Sequence, residues 1–359
     1  VIEVPFPYFG GKRRIAHLVW ERFGDVPNYV EPFAGSLAVL LARPHPPRTE
    51  TVNDADCMVA NFWRAVQRDP EAVARWADWP VNEADLHARH RWLVGRKPDL
   101  AERVMADPDH YDAQAAGWWV WGICQWIGNG WCATPDRRRP HLSNGAGVHQ
   151  KLASTSGNAQ RVVRQITRAG GMGVHKQIPH LGIGGCGVLR TGVVVDGGGG
   201  RCADRTAALL AWFGALRDRL RDVRVCCGDW SRVLGPTPTT LLGTTAVFLD
   251  PPYAWDQRDT RLYNVDESGV ADRVRAWAVA HGDDPQLRIA LCGYEGEHDM
   301  PPGWIQVRWK ARGGYGNQGN GRARANADRE VIWFSPHCLQ PSRPHQAALP
   351  LDDGEEDVA

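Results

Sequence analysis

Several features are scarce in this 359-residue sequence, and each scarcity narrows what the chain can be. No run approaches the roughly 18 apolar residues of a membrane-spanning helix, so no membrane role is expected. The first residues carry no charged-then-apolar signal segment, and a cytosolic location is the expectation. The nine cysteines are odd in number, scattered, and contain no Cys-x-x-Cys pair. Reduced thiols fit that pattern better than a disulfide framework or a zinc ribbon, and no metal is expected. Lysine is also sparse, because nearly all the positive charge is arginine. Arginine suits bidentate phosphate or guanine contacts, although a genome rich in G and C would produce the same bias.

What is present is the composition of a globular chain, with 43% hydrophobic and 23% charged residues. The length allows one large α/β domain with an insertion, or two domains. The net charge of +1 is uneven: the last eight residues hold five acids and no base, so the remainder stands five units higher, at +6. That is mildly basic and compatible with nucleic acid.

The most telling stretch runs from Thr244 to Tyr253. Its apolar part reads as a strand buried on both faces, and it ends in Asp250-Pro251-Pro252-Tyr253. The two prolines cannot donate to a ladder and hold the residue before each of them extended. Asp250 and Tyr253 are thereby held at a strand's carboxyl end, where open α/β sheets bind ligands. A strong acceptor, proline carbonyls and an aromatic face suit a flat ring bearing an amino group; a plain strand-ending turn is the simpler alternative.

Upstream, an aromatic and glycine loop at 5–12 precedes a helical pattern carrying Ile15, Leu18, Val19 and Phe23. A short strand, Tyr29 to Glu31, leads into Glu31-Pro32-Phe33-Ala34-Gly35-Ser36, with a helix expected from Leu37 to Ala42. A strand, a small-residue turn and a helix start let a cofactor approach backbone closely. A second strand, near Glu50 to Asn53, ends in Asp54, 19 residues after Gly35. That matches the spacing of about 20 for a carboxylate meeting a ribose hydroxyl; Asp54 could equally cap a helix over 55–66.

From about 76 to 203 the pattern loosens, with helices expected near 82–94 and 111–127. The tryptophans 118, 119, 121 and 126 are too many for one face and read mainly as core. The stretch 128–203 is too long for a plain loop, and so reads as a functional insertion or as partly disordered. Regular pattern resumes with a helix over 204–221 and a strand Val223 to Cys227, followed by Gly228-Asp229-Trp230. A helix near 268–280, a strand Leu287 to Cys292 and a terminal hairpin of 304–307 with 330–334 complete the fold. Between the hairpin arms, Arg308, Lys310, Arg312, Arg322, Arg324 and Arg329 lie among glycines and asparagines; phosphate contact and simple solvation fit this loop equally on charge alone. Beyond Pro336 disorder is expected. Four strands thus end in acids, Glu31, Asp54, Asp229 and Asp250. Mutual repulsion makes such a gathering hard to attribute to stability, whereas a ligand rich in hydroxyl and amino groups explains it.

These pieces, in this order, resemble the Dam-like (D12 class) DNA adenine-N6 methyltransferases. The similarity covers roughly 5–75 and 205–335, and faintly 115–131, where Gly128-Asn129-Gly130-Trp131 stands in for an asparagine-and-glycine turn. Leu37 departs from it, standing where that family usually has a second glycine. The stretch 132–203 has no counterpart, so no target sequence carries over. The resemblance implies a Rossmann-like class I methyltransferase α/β sheet with an antiparallel terminal hairpin, in a catalytic domain made of 1–75 and 204–336. Residues 76–203 would be an inserted, largely helical or irregular target-recognition region, and 337–359 a disordered acidic tail.

The resemblance also implies S-adenosylmethionine as methyl donor, with S-adenosylhomocysteine as product. Tyr8, Phe9, Gly11, Lys12, Glu31, Pro32, Phe33 and Gly35 would flank it, with Asp54 on the ribose and Asp229, beside Trp230, on the adenine. Asp250, Pro251, Pro252 and Tyr253 would be catalytic, acting on an adenine taken out of the duplex, and Asp250 would also border the cofactor. Double-stranded DNA is the implied partner, with Lys310, Arg312, Asn317, Arg322 and Arg324 as candidate contacts, and a cognate restriction endonuclease as a second partner. A prokaryotic or phage-encoded cytoplasmic protein is the corresponding setting. No Pro-Cys dipeptide of the kind used by cytosine-C5 enzymes occurs. Cytosine-N4 enzymes usually have serine in place of Asp250, which tilts the expectation to adenine. Action on the cytosine-N4 amine or on RNA, and a DNA-binding module with a decayed cofactor pocket, are the alternatives.

Overall fold

The computed structural model describes residues 2–8, 11–126, 131–132, 202–253, 269–309 and 329–341, with side chains in the helix after 202 described from Thr206 on. Seven strands form one sheet: β1 (Asn28–Glu31), β2 (Thr49–Asp54), β3 (Arg224–Cys227), β4 (Thr245–Leu249), β5 (Leu287–Tyr294), β6 (Ile305–Arg308) and β7 (Glu330–Phe334). Their spatial order is β3-β2-β1-β4-β5-β7-β6. The first five run parallel, β7 runs antiparallel to β5, and β6 antiparallel to β7. This mixed α/β sheet is consistent with a methyltransferase fold. Strand order reverses between β1 and β4, which is where ligands enter such sheets.

Period-two alternation explains why the strands read as unbroken apolar runs. In β4, Ala246 and Phe248 enter one core while Val247 and Leu249 enter the other. β5 and β7 divide likewise, with Cys292 and Phe334 on the first side and Leu291 and Trp333 on the second. The central strands are therefore a middle layer buried on both faces, while the edge strands β3 and β6 stay partly exposed.

The larger core is built by α1 (Ala16–Phe23), α2 (Ala38–Leu41), α3 (Cys57–Arg68), α4 (Pro70–Ala77), α5 (Glu83–Ala106), α6 (Ala113–Gln125) and α7 (Cys202–Leu220). The smaller core lies under α8 (Val270–His281). Every strand and helix expected from the pattern is present within a few residues, with one helix added and one much longer. The added helix, α4, starts at Pro70 after Asp69, whose side chain caps it by accepting from the Ala72 N–H. The longer one, α5, continues to Ala106 although it contains Gly95 and Pro98. Leu93, Leu100 and Val104 are all buried, so packing outweighs the missing Pro98 N–H. Of the four tryptophans, 119, 121 and 126 are core and 118 is half-buried. Residues 337–340, expected in the disordered tail, instead pack on the fold: the Leu339 N–H donates to the Arg22 carbonyl of α1, His337 meets the Asp283 carbonyl, and Cys338 is buried. The remainder of the expected tail, and the stretch 133–201, lie outside the described residues.

Among the described residues no helix is long and apolar enough to cross a membrane. Seven described cysteines carry free thiols.

Candidate active site

Four neighbouring strands, β3, β2, β1 and β4, deliver their carboxyl ends to one cleft of about 280 Å³. That is near the lower end of the ~300–1,000 Å³ typical of small-molecule sites. Glu31, Asp54, Asp229 and Asp250 all line it. So do Tyr8, Gly11, Lys12, Pro32, Phe33, Gly35, Trp230 and Pro252. Phe9 and the candidate DNA contacts Lys310, Arg312, Asn317, Arg322 and Arg324 lie outside the described residues. Pro251 and Tyr253 stand behind the wall.

Asn53 ties the rim together. Its amide donates to the Pro32 carbonyl at 3.1 Å and to the Gly228 carbonyl at 3.0 Å, joining the ends of β1, β2 and β3. Asp54 accepts from the Gly35 N–H at 3.0 Å with one oxygen and from the Asp56 N–H at 2.9 Å with the other. Each oxygen keeps a lone pair for a ligand hydroxyl. The helix cap considered for Asp54 belongs to Asp56, whose side chain accepts from the Met58 N–H at the start of α3. Burial pushes the Asp54 carboxyl up to about 7, its two backbone donors offsetting only part of that cost.

The turn after β1 depends on two left-handed residues. Gly35 has φ +44, and a Cβ there would sit 2.6 Å from the Tyr8 ring, so glycine is what allows Tyr8 to close that wall. Leu37 has φ 56 and ψ 31. Where the resemblance leads to an expected glycine, this chain keeps the left-handed backbone with a fully buried leucine. The strain is about 1–2 kcal/mol. Leu37→Ala is expected to lose about 2–5 kcal/mol through the cavity it opens. Glycine in place of alanine at an ordinary helical position costs about 1 kcal/mol more. Here the order should invert, Leu37→Gly being at least as stable as Leu37→Ala in denaturant titrations; a glycine variant weaker by 1 kcal/mol would contradict the backbone assignment.

Glu31 is buried and accepts from the Tyr29 hydroxyl at 2.9 Å. Desolvation drives its carboxyl from the ordinary 4.5 up to about 8, with Asp250 adding repulsion. An unfolded chain ionises this group near 4.5, whereas the folded one keeps the proton to about 8. The folded state thus holds the extra proton, and the stability it contributes is full below about 4.5 and lost as pH rises through 8. We expect Glu31→Gln to match the native chain at pH 4.5 and to exceed it by about 2 kcal/mol or more at pH 8.5. Equal denaturant midpoints at pH 8.5 would show that Glu31 ionises freely.

Phe33 and Trp230 form a near-parallel aromatic wall, centroids 6.3 Å apart and planes at 26°. Asp229 heads the short turn Trp230–Val233. One of its oxygens accepts from the Ser231 N–H and hydroxyl, the other lying 3.9 Å from Arg273 of α8. The Ser231 hydroxyl leads the causes that hold Asp229 below the usual carboxylate range.

At the opposite end, Asp250 is one-fifth exposed and pairs with the buried Lys12 ammonium at 3.0 Å. Lys12 also donates to the Tyr253 hydroxyl at 2.9 Å, and that hydroxyl donates to Glu330 at 2.7 Å. Burial opposes the charge on Lys12, but Asp250 and then Glu330 outweigh it and hold the lysine above its ordinary value. Burial raises Asp250 despite the lysine. The Tyr253 ring, read from sequence as a stacking face, is only 6% exposed and meets Tyr294 edge-on at 4.5 Å. Its hydroxyl, caught between Lys12 and Glu330, accounts for that placement.

Sequence reasoning missed Glu330, Asn53 as a brace, Tyr29 and Arg273. Glu330 had a readable signal. An acid heads the run Glu-Val-Ile-Trp-Phe, and in an antiparallel final strand the first residue falls at the rim where parallel strands finish.

Sheet order, strand-end acids and aromatic wall meet at one cleft of a mixed α/β sheet, an arrangement consistent with a methyltransferase fold. Residues 8–85 match the family model of the D12 class N6 adenine-specific DNA methyltransferases, which indicates an adenine-specific DNA methyltransferase. The matched segment holds Lys12, Glu31 to Gly35 and Asp54, while Asp229, Asp250 and Glu330 lie beyond it. No curated protein matches the chain.

Proposed function

We propose that the protein is a site-specific DNA adenine-N6 methyltransferase that uses S-adenosylmethionine and acts on an adenine extruded from the duplex. One observation carries the reading: acids from four adjacent strands converge on one cleft, and Asp250 among them is paired with a buried lysine.

The residues present fit the cofactor. Asp54 keeps free lone pairs for ribose hydroxyls, Phe33 and Trp230 offer flat walls to an adenine, and Asp229 can accept from its amino group. Glu31, which by itself holds its proton up to about pH 8, offers a buried carboxyl that ionises when a cationic end sits against it. When bound, S-adenosylmethionine supplies an electrophilic methyl group on a sulfonium.

The exocyclic amine of adenine is a poor nucleophile because its lone pair is delocalised into the ring. Asp250 accepts one of its hydrogens and the Pro251 carbonyl, once uncovered together with Tyr253, accepts the other, which favours a pyramidal nitrogen with a directed lone pair. Positioning and electrostatics then govern the transfer. Tyr253 is the stacking partner of the extruded base, a contact worth ~1–3 kcal/mol once the ring is uncovered. Residues 1–75 with 204–336 form the catalytic domain in this reading, 76–203 carry target recognition, and the basic segment 308–329 meets phosphate.

Incubation with duplex DNA and methyl-labelled cofactor, followed by nucleoside analysis, should yield N6-methyladenine. N4-methylcytosine or labelled RNA alone would move the assignment to another acceptor. Cofactor binding without any labelled nucleic acid would reject it.

A further inference from the structure

We propose that Glu330 is a positioning residue for methyl transfer, holding the Tyr253 phenol proton away from Asp250. This inference rests on the methyltransferase reading above. The observation behind it is a set of four groups in mutual contact. Lys12 Nζ lies 3.0 Å from Asp250 Oδ1 and 3.9 Å from Glu330 Oε2. The Tyr253 hydroxyl lies 2.7 Å from Glu330 Oε2 and 3.4 Å from Asp250 Oδ1. Glu330 is 5% exposed, at the first position of β7 and opposite Tyr294 in the ladder.

A phenol has one proton and two competing carboxylates here. The shorter contact gives that proton to Glu330, leaving the phenol oxygen to accept from Lys12 at 2.9 Å. Asp250 then receives only the lysine on Oδ1 and keeps its remaining capacity for a substrate amine. Without Glu330 the hydroxyl's nearest acceptor among the described residues is Asp250, at 3.4 Å. A second donor on that carboxylate drains its acceptor strength, and Lys12 loses one of the two anions that locate it. Glu330 touches no cleft surface, so its effect passes through Tyr253 and Lys12.

Among the described residues, the titratable groups facing Asp250 are Lys12, Tyr253, Glu31 and the Cys292 thiol. Those facing Glu330 are Lys12, Tyr253, Asp250, Glu297 and the Cys292 thiol. Removing the Glu330 charge makes Asp250 easier to ionise, so the acid limb of the rate profile moves to lower pH.

The test compares single-turnover methylation of duplex DNA by the full-length chain and by Glu330→Ala, Glu330→Gln, Tyr253→Phe and Tyr253→Phe/Glu330→Ala. Glu330→Ala should slow transfer about 10- to 100-fold, with cofactor affinity and KM for DNA within about threefold. Glu330→Gln, which still accepts the phenol proton, should recover to within about threefold of native, with its acid limb displaced to lower pH. With no phenol proton to redirect, Glu330→Ala in the Tyr253→Phe background should cost less than about twofold further. A native rate in Glu330→Ala, or the same loss in both backgrounds, overturns the inference alone. Should Glu330→Ala not fold, an unshifted acid limb in Glu330→Gln overturns it. A native chain that binds cofactor but methylates nothing overturns the methyltransferase reading and this inference together.

Discussion

Asp250→Ala should lower the rate of methyl transfer by about 10²–10³-fold or more while leaving S-adenosylmethionine affinity within a few-fold. The separation follows from where the groups sit. The carboxylates assigned to ribose and adenine belong to β2 and to the turn after β3, whereas Asp250 ends β4. Its removal does not strand a buried cation, because Lys12 keeps Glu330 and the Tyr253 hydroxyl. Asp250→Asn should fail almost as completely, since an amide divides its capacity between donor and acceptor and no longer attracts a developing positive charge. Single-turnover transfer with labelled cofactor, set beside calorimetric binding, measures both halves. Unchanged turnover would remove Asp250 from the chemistry, and lost binding would move its role to the cofactor.

The second large effect concerns stability. Lys12→Met is expected to destabilise the fold by about 3–5 kcal/mol at pH 8, the cost of leaving buried charge without its partner. Lys12 is 3% exposed and lies between two carboxylates, both already raised by burial. Without the lysine both rise further. The folded variant then holds protons that the unfolded chain has lost, and its stability falls as pH climbs above the ordinary carboxylate range. The deficit should therefore be smaller at pH 5 than at pH 8, and adding Glu330→Gln should restore part of it. Denaturant midpoints at the two pH values decide the matter. A pH-independent loss would mean that the methionine fails by packing.

Most of the sheet was legible because a strand covered on both faces leaves a plain mark. Ala246 to Leu249 and Val331 to Phe334 are unbroken apolar runs for that reason. The strand-end acids were legible too, since nothing in hydrocarbon packing calls for carboxylates at Glu31, Asp54 and Asp250. Local rules failed where distant contacts decide. Pro98 reads as a helix end, yet α5 passes through it, with Lys97 paired to Asp56 at 3.1 Å and the Cys57 thiol near the Lys97 carbonyl. Leu37 reads as an obstacle to a glycine turn, yet its side chain is fully buried and the backbone takes the glycine's conformation. Asp69-Pro70 carried a helix start that periodicity alone overlooked. Glu330 and Tyr253 lie 77 residues apart, and only the antiparallel course of β7 brings them together.

That reversed strand has one more consequence. The Trp309 N–H donates to the Glu330 carbonyl, the Trp309 ring lies beside the Lys12 ammonium, and the Arg329 guanidinium lies over Tyr294. Trp309 and Arg329, the described residues on either side of the arginine-rich span, thus touch Lys12, Glu330 and Tyr294, the groups packed around Asp250 and Tyr253. In the proposed function, a polyanion meeting that span would pull on the same few residues that align the catalytic groups.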